Sequence, residues 1–150
     1  MHRIVVVGGG FAGLWSAVGA ARRRDELGIA AADLEITLAN RDAFHAIRVR
    51  NYEADLSNVR VALDDVLDPI GVRHIVGNVD NIDLNGHEVG VTTPHGRKVL
   101  PYDRLVIAAG SEVAKPAVPG LAEHAFSVDT FDAATRLDRH IAGLTGVAVG

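Results

Sequence analysis

Three glycines near the start of the chain, at positions 8, 10 and 13, have the spacing GxGxxG. In a turn between a strand and a helix, each of the three glycines has a separate structural role. The first allows the tight turn, the second leaves room for a pyrophosphate, and the third lets the helix pack closely on the strand. An anion there meets free backbone N–H groups and the positive end of the helix dipole. The pattern therefore predicts a dinucleotide-binding turn at Gly8, Gly10 and Gly13 rather than a plain tight turn.

The residues on either side of this turn have the patterns that the motif requires. Residues 4–7 form an apolar run typical of a strand buried on both faces. From Phe11 onward, small and apolar residues recur every three or four positions, and arginines at 22–24 close the segment where positive charge suits a helix C-terminus. We therefore predict a strand, a turn and a helix in succession.

A second strand is predicted from Asp33 to Asn40, and with the first strand and helix it forms a right-handed parallel unit. In dinucleotide folds an acidic residue that closes this strand commonly binds a ribose, and here Asn40 holds that position. Asparagine keeps a hydrogen-bond acceptor but lacks the charge. We expect a ribose contact at Asn40, which Asn40→Asp would strengthen because charge-assisted hydrogen bonds are stronger.

The remaining patterns predict a mixed fold. VALDDVLDPIG favours a short helix that ends near Pro69 and Gly71, and RHIVGNVDNIDL follows as a strand. Turn residues at 85–86 and 94–96 predict an antiparallel meander of three strands, at residues 76–84, 88–92 and 98–100. Residues 103–110 have the pattern of a central parallel strand, and residues 130–141 that of a helix capped by Asp129 or Thr130. GVAVG, at 146–150, predicts one more buried strand.

Composition excludes several classes of function. The chain has 150 residues, 48% of them hydrophobic, and a net charge of −4, which gives nucleic acid or anionic membranes no electrostatic reason to bind. No leader precedes the first strand, and no apolar run approaches the roughly 20 residues that span a bilayer, so a cytoplasmic protein is expected. Cysteine is absent, so any redox chemistry would come from a bound cofactor.

In this order, the segments resemble the N-terminal part of the flavoproteins with two dinucleotide-binding domains, the pyridine nucleotide-disulfide oxidoreductase-like group. The resemblance is closest to the type II NADH:quinone dehydrogenase-like branch and covers nearly the whole chain. It is carried by VVVGGGFAGL, ITLANRDAFHAIRVRNYEADL, VGNVDNIDL, LPYDRLVIAAGS and PAVPGLAEHAFSVDTFDAATRLDRHI. It implies an α/β, Rossmann-like three-layer FAD/NAD(P)-binding fold, a parallel sheet with an antiparallel three-stranded meander.

The resemblance also implies which residues bind FAD. The first glycine motif would hold the pyrophosphate, the end of the second strand the adenosine ribose, and a meander backbone segment the adenine. The implied cofactor-binding residues are Gly8, Gly10, Phe11, Ala12, Gly13, Asn40, Arg41, Val79, Ala109 and Gly110. The flavin does the chemistry in this class, so no catalytic side chain is predicted.

Two positions depart from the family pattern. The usual Ala-Thr-Gly that closes the FAD-binding sheet is Ala-Ala-Gly at 108–110, which removes one hydrogen bond and should weaken flavin binding. The stretch beside the flavin usually carries Pro-Leu-Leu, whereas this chain has Val49, Arg50 and Asn51. A charge there would be costly to desolvate near a quinone, so the identity of the electron acceptor stays open.

Other ionisable residues give weaker indications. The histidines at 45, 74, 87, 95, 124 and 140 lack the spacing of paired metal ligands, so no metal site is predicted. His45 alone lies near the implied flavin edge, where a structural role competes with a functional one. Glu53 and Asp55 fit a solvated turn better than an acid/base pair.

The resemblance further implies a domain plan. Residues 1–112 would be the first part of an FAD-binding domain, 113–128 a linker, and 129–150 the start of a domain that binds NAD(P)H beyond residue 150. We expect the N-terminal fragment of an NAD(P)H oxidoreductase that passes hydride to flavin and on to a small acceptor, with a quinone among the candidates. Alone it would bind FAD weakly or not at all, would lack turnover and could self-associate. When complete, the enzyme could be peripheral to a membrane. The alternative is a nucleotide-binding or interaction module without turnover.

Overall fold

A computed structural model describes residues 1–114 and 116–144. The chain divides into two compact units. The first contains residues 1–45 and 61–110, and the second contains residues 46–60 with the described residues after 110. GVAVG, for which one more strand is predicted, lies outside the described residues.

A parallel sheet forms the centre of the first unit. Its strands are β1 (His2–Val7), β2 (Leu34–Asn40), β5 (Arg73–Val76) and β9 (Arg104–Ile107), in the order β5-β2-β1-β9. Every pair is parallel, and in register Val5 lies opposite both Thr37 and Leu105. β1 is therefore paired along both edges, and its two faces are covered by different layers, which explains why its apolar run has no polar face.

Helix α1 (Phe11–Glu26) covers one face of this sheet. Val6 of β1 packs there with Ala17 and Ala21 of α1, and all three side chains are fully buried. Helix α2 (Leu63–Leu67) and the 3₁₀ turn Asp68–Ile70 pack on the same face of the sheet. Burial of each large apolar side chain in such a layer contributes about 1.5–3 kcal/mol.

The antiparallel meander covers the opposite face. Its strands are β6 (Asn78–Asp83), β7 (Glu88–Thr93) and β8 (Gly96–Pro101), in that order. Val5 and Val7 of β1 pack against Val89 and Val91 of β7 in a second hydrophobic core. Helix, parallel sheet and meander form three layers, which confirms the predicted fold class.

Two strand predictions are corrected by the structure. RHIVGNVDNIDL is not one strand, because Gly77 separates β5 of the parallel sheet from β6 of the meander. A Cβ at Gly77 would lie 2.7 Å from the Thr92 carbonyl oxygen, so the chain can cross between layers only without a side chain. Among the described strands β9 is at the edge of the sheet rather than central, and Ile107 is 61% exposed.

The arginines predicted to serve the end of α1 do more than complement its dipole. Arg24 is only 5% exposed. Its guanidinium donates to the carbonyl oxygens of Ile70 at 2.8 Å and Gly71 at 3.3 Å. Arg24 therefore satisfies the hydrogen-bonding capacity of the carbonyls where the 3₁₀ turn ends. The bonded residues are 46 and 47 positions apart in sequence, so no local pattern predicts these hydrogen bonds.

The second unit contains short elements around one longer helix. They are the 3₁₀ turn Arg48–Arg50, helix α3 (Leu121–His124) and helix α4 (Phe131–Gly143). Thr130 caps α4 by accepting a hydrogen bond from the Ala133 amide at 3.2 Å, which confirms one of the two predicted caps. The short strands β3 (Phe44–Ala46) and β4 (Arg60–Ala62) pair where the chain changes unit.

Candidate dinucleotide-binding site

The three motif glycines occupy different environments in the turn between β1 and α1. Gly8 has a φ of +104°, and a Cβ there would lie 2.2 Å from the Ala108 carbonyl oxygen. A Cβ at Gly13 would lie 1.8 Å from the Gly8 carbonyl oxygen. A Cβ at Gly10 would meet nothing within 4 Å in the part of the chain that the structure describes. Packing and backbone conformation thus require glycine at 8 and 13 but not at 10.

The first turn of α1 is free of the groups that usually occupy a helix N-terminus. Its N-cap is Gly10, no side chain caps it, and the first turn contains no acidic residue. The first four amides of a helix have no partner within the helix, and the dipole places positive charge there. Gly10, Phe11 and Ala12 are all exposed. These amides are therefore available to an anion.

Asn40 holds the glycine turn from the end of β2. Its side-chain Oδ1 accepts a hydrogen bond from the Gly9 amide at 2.8 Å, and its Nδ2 donates to the Asp42 carbonyl at 2.9 Å. A longer contact of 3.4 Å joins Nδ2 to the Phe44 carbonyl. Both ends of the amide are thus in use, which the strand pattern did not predict. The ribose contact at Asn40 stays a prediction.

We expect Asn40→Asp to weaken the site, the reverse of what the sequence alone suggests. A carboxylate still accepts from the Gly9 amide, but its second oxygen faces the Asp42 carbonyl with no hydrogen to donate. Leaving such a group unsatisfied costs about 1–3 kcal/mol. The thermal midpoint and the affinity for FAD should both fall.

The control for this prediction is Asp42→Asn, which changes a neighbouring carboxylate without touching the Asn40 amide. A gain in FAD affinity for Asn40→Asp, with an unchanged midpoint, would contradict the contacts described for Asn40.

The remaining predicted ligands lie around the same edge of the first unit. Arg41 follows Asn40, is exposed, and makes no hydrogen bond or ion pair within residues 1–114 and 116–144. Val79 is on β6, an edge strand of the meander, beside a register shift at Val79/Asn81. Ala109 and Gly110 follow β9, and Gly110 has a φ of +77°. The structure brings the strand end at Ala108 against Gly8.

The carboxylates after the 3₁₀ turn, in the second unit, are held in their ionised forms. Arg50 donates two hydrogen bonds to Glu53, at 2.7 and 2.9 Å, and these lower the pKa of Glu53 and raise that of Arg50. The amide of Ser57 donates to Asp55 at 2.9 Å and lowers the pKa of that carboxyl. A general acid at neutral pH needs a raised pKa. The geometry therefore favours the turn interpretation.

No group of three or more His, Asp or Glu side chains is arranged to hold a metal ion in residues 1–114 and 116–144. Within the same residues, no helix has the length and apolar character needed to span a membrane.

Comparisons with known proteins place these features in a family. The profile of the pyridine nucleotide-disulphide oxidoreductase family matches residues 2–150. A NADH dehydrogenase-like protein of Mycobacterium tuberculosis is 55% identical over 97% of this chain and 36% of its own length. A type II NADH:quinone oxidoreductase of Staphylococcus haemolyticus is 30% identical over 93% of this chain and 34% of its own. The chain thus spans about a third of the length of these relatives.

Solved structures of low identity share the fold. The sulfide:quinone oxidoreductase of Aquifex aeolicus superposes with a TM-score of 0.76 at 23% identity, over 96% of this chain and 32% of that one. NDH2 of Plasmodium falciparum, solved in complex with NADH, superposes with a TM-score of 0.71 at 14% identity, over 98% of this chain and 31% of that one.

Proposed function

Because the chain belongs to the pyridine nucleotide-disulphide oxidoreductase family, we propose that its first 112 residues bind FAD for an NAD(P)H-dependent oxidoreductase. The proposed ligands are the ten residues implied by the sequence, from the glycine motif to Gly110. Residues 113–128 would then be a linker, and 129–150 would begin the domain that binds NAD(P)H.

The different environments of the three glycines carry this proposal. At Gly8 and Gly13 a side chain would collide with backbone atoms, so glycine is needed to build the turn. At Gly10 an added Cβ would meet nothing within 4 Å among the described residues, and the φ of −70° and ψ of −177° suit any residue. A glycine that neither packing nor conformation requires fits a position that a ligand approaches closely.

The chemistry of the surrounding groups suits a pyrophosphate that joins two nucleotides. The free amides of the first turn of α1 would donate to phosphate oxygens, and no carboxylate in that turn opposes them. The guanidinium of Arg41, which has no ion-pair partner among the described residues, follows the end of the adjacent strand, where the adenosine half would be bound. When bound, FAD supplies the capacity to accept a hydride from a nicotinamide and to deliver electrons to an acceptor.

The acceptor that we propose for the whole protein is a quinone. The support is the likeness to a relative named as a type II NADH:quinone oxidoreductase. Arg50, which replaces an apolar residue of the family pattern, is paired with Glu53 by two hydrogen bonds. Pairing makes the cation less costly to desolvate than a lone one.

Titration of the protein with FAD, ADP and FMN tests the proposed site. ADP and FAD share the pyrophosphate and adenosine, whereas FMN has the same flavin with one phosphate. We expect FAD and ADP to bind and FMN to bind much more weakly, because the glycine turn and the end of β2 recognise the adenylate half. Isothermal calorimetry measures all three affinities on one preparation.

Weak binding of FAD does not prevent this test, because the test compares the affinities of the three ligands with one another. FMN binding as tightly as FAD, or the absence of both ADP and FAD binding, would contradict the proposal.

A further inference from the structure

His45 is a titratable side chain buried to 4% exposure beside the glycine turn. Its Nδ1 lies 2.8 Å from the Gly9 carbonyl oxygen. A carbonyl oxygen only accepts, so Nδ1 carries the proton and donates it. The ring also meets Phe11, the first residue of α1, edge to face, with centroids 4.5 Å apart. His45 therefore contacts the turn on both sides of Gly10.

Gly9 is held by side chains at both ends of the residue. Its amide donates to Asn40 and its carbonyl oxygen accepts from His45, and both donor–acceptor distances are 2.8 Å. These two hydrogen bonds fix consecutive peptide planes, one before and one after Gly9. The turn is thus oriented by Asn40 at the end of β2 and by His45 on β3, and the motif glycines alone do not determine it.

The direction of the Gly10 amide follows from the hydrogen bond at His45. In a trans peptide the carbonyl and the N–H point in opposite directions. The Gly9 carbonyl points to His45, so the Gly10 N–H points away from it. Gly10 is exposed, and its amide has no hydrogen-bond partner in the described part of the chain.

We propose that His45 is a positioning residue of the dinucleotide site: it holds the Gly9–Gly10 peptide so that the Gly10 N–H donates to the pyrophosphate. This inference rests on the proposed function. It assigns His45 a role through another group, since Gly9 separates it from the ligand. It also specifies the atom that matters, because only a donor at the Nδ1 position reaches the Gly9 carbonyl.

Asparagine and glutamine substitutions distinguish positioning from packing. The Nδ2 of asparagine occupies the place of histidine Nδ1, whereas the Nε2 of glutamine occupies that of Nε2. We expect His45→Asn to bind FAD within about twofold of the wild type, and His45→Gln and His45→Leu to bind about tenfold more weakly, the equivalent of one hydrogen bond. Calorimetry gives the affinities, and thermal melting shows which variants fold.

His74→Leu is the matched control for loss of a buried histidine. His74 belongs to the same unit, its side chain is 3% exposed, and its Nδ1 lies 2.6 Å from Asp64 Oδ1. We expect its FAD affinity to match the wild type even if its melting temperature falls. The amide resonance of Gly10 supplies a second readout: inorganic pyrophosphate should shift it in the wild type and in His45→Asn, and less in His45→Gln.

The outcomes separate this inference from the proposed function. Failure of the wild type to bind FAD or pyrophosphate overturns the proposed function and this inference with it. If the wild type binds and His45→Gln binds equally well, only the inference fails. Equal weakening in His45→Asn and His45→Gln, or in His74→Leu, would also overturn the inference, because it would show an effect of packing alone.

Discussion

Gly10→Val is expected to abolish FAD binding while the protein remains folded. The added Cβ would meet nothing within 4 Å among the described residues, and the backbone angles of Gly10 suit valine. Valine is a poorer N-cap than glycine, so the free energy of unfolding should fall by no more than about 1 kcal/mol. The side chain would instead fill the space in which the pyrophosphate approaches the backbone.

Gly19→Val provides the matched control. Gly19 lies on the same helix, and a Cβ there also meets nothing within 4 Å. The substitution adds the same atoms away from the turn, so FAD affinity should match the wild type. Calorimetric titration with FAD and circular dichroism on both variants measure binding and folding. FAD binding by Gly10→Val at wild-type strength would exclude Gly10 from the site.

Gly13→Ala is expected to have the opposite pattern, a large loss of stability from one methyl group. Its Cβ would lie 1.8 Å from the Gly8 carbonyl oxygen, 2.9 Å from the Gly8 carbonyl carbon and 3.3 Å from the Ala108 side chain. Two of these are backbone atoms that cannot rotate away. Overpacking typically costs about 1–3 kcal/mol, and a backbone collision belongs at or above the top of that range. The total free energy of unfolding of a domain of this size is only about 5–15 kcal/mol.

Urea denaturation measures this effect, with Gly19→Ala as the control. Gly19 is exposed in the helix interior, where alanine is favoured over glycine by about 1 kcal/mol. The denaturation midpoint should therefore rise for Gly19→Ala and fall for Gly13→Ala, at similar slope. A midpoint for Gly13→Ala equal to that of the wild type would contradict the close packing of α1 on the turn.

Local patterns predicted most of the elements that form the site. The strand at β1, the turn at the glycines and the helix α1 were each predicted from patterns of neighbouring residues, and the structure has all three elements. The turns at Asn85–Gly86 and Pro94–Gly96 placed the three strands of the meander for the same reason. Backbone conformation at a turn depends on the residues of that turn, so sequence is informative there.

Contacts between distant segments were not predictable in this way. The break at Gly77 depends on the Thr92 carbonyl, and the use of both ends of the Asn40 amide depends on the course of residues 42–44. The hydrogen bond between His45 and Gly9 joins residues 36 apart. No periodicity records such partners, because they are determined by how the layers pack. Sequence located the turn, and the structure shows what holds it.

The close approach of Gly8 to Ala108 has a consequence for the order in which the site is assembled. The amide of Arg3 likewise donates to Asp103 at 2.7 Å, across 100 residues, and β1 pairs with β9 from Ile4 to Val7. Bringing such distant residues together costs entropy that grows with the logarithm of the intervening length. Because synthesis runs from the N-terminus, the glycine motif leaves the ribosome before Ala108, the residue against which Gly8 packs, which follows 100 residues later. The glycine turn therefore reaches its final packing only after β9 and the residues that follow it have been added.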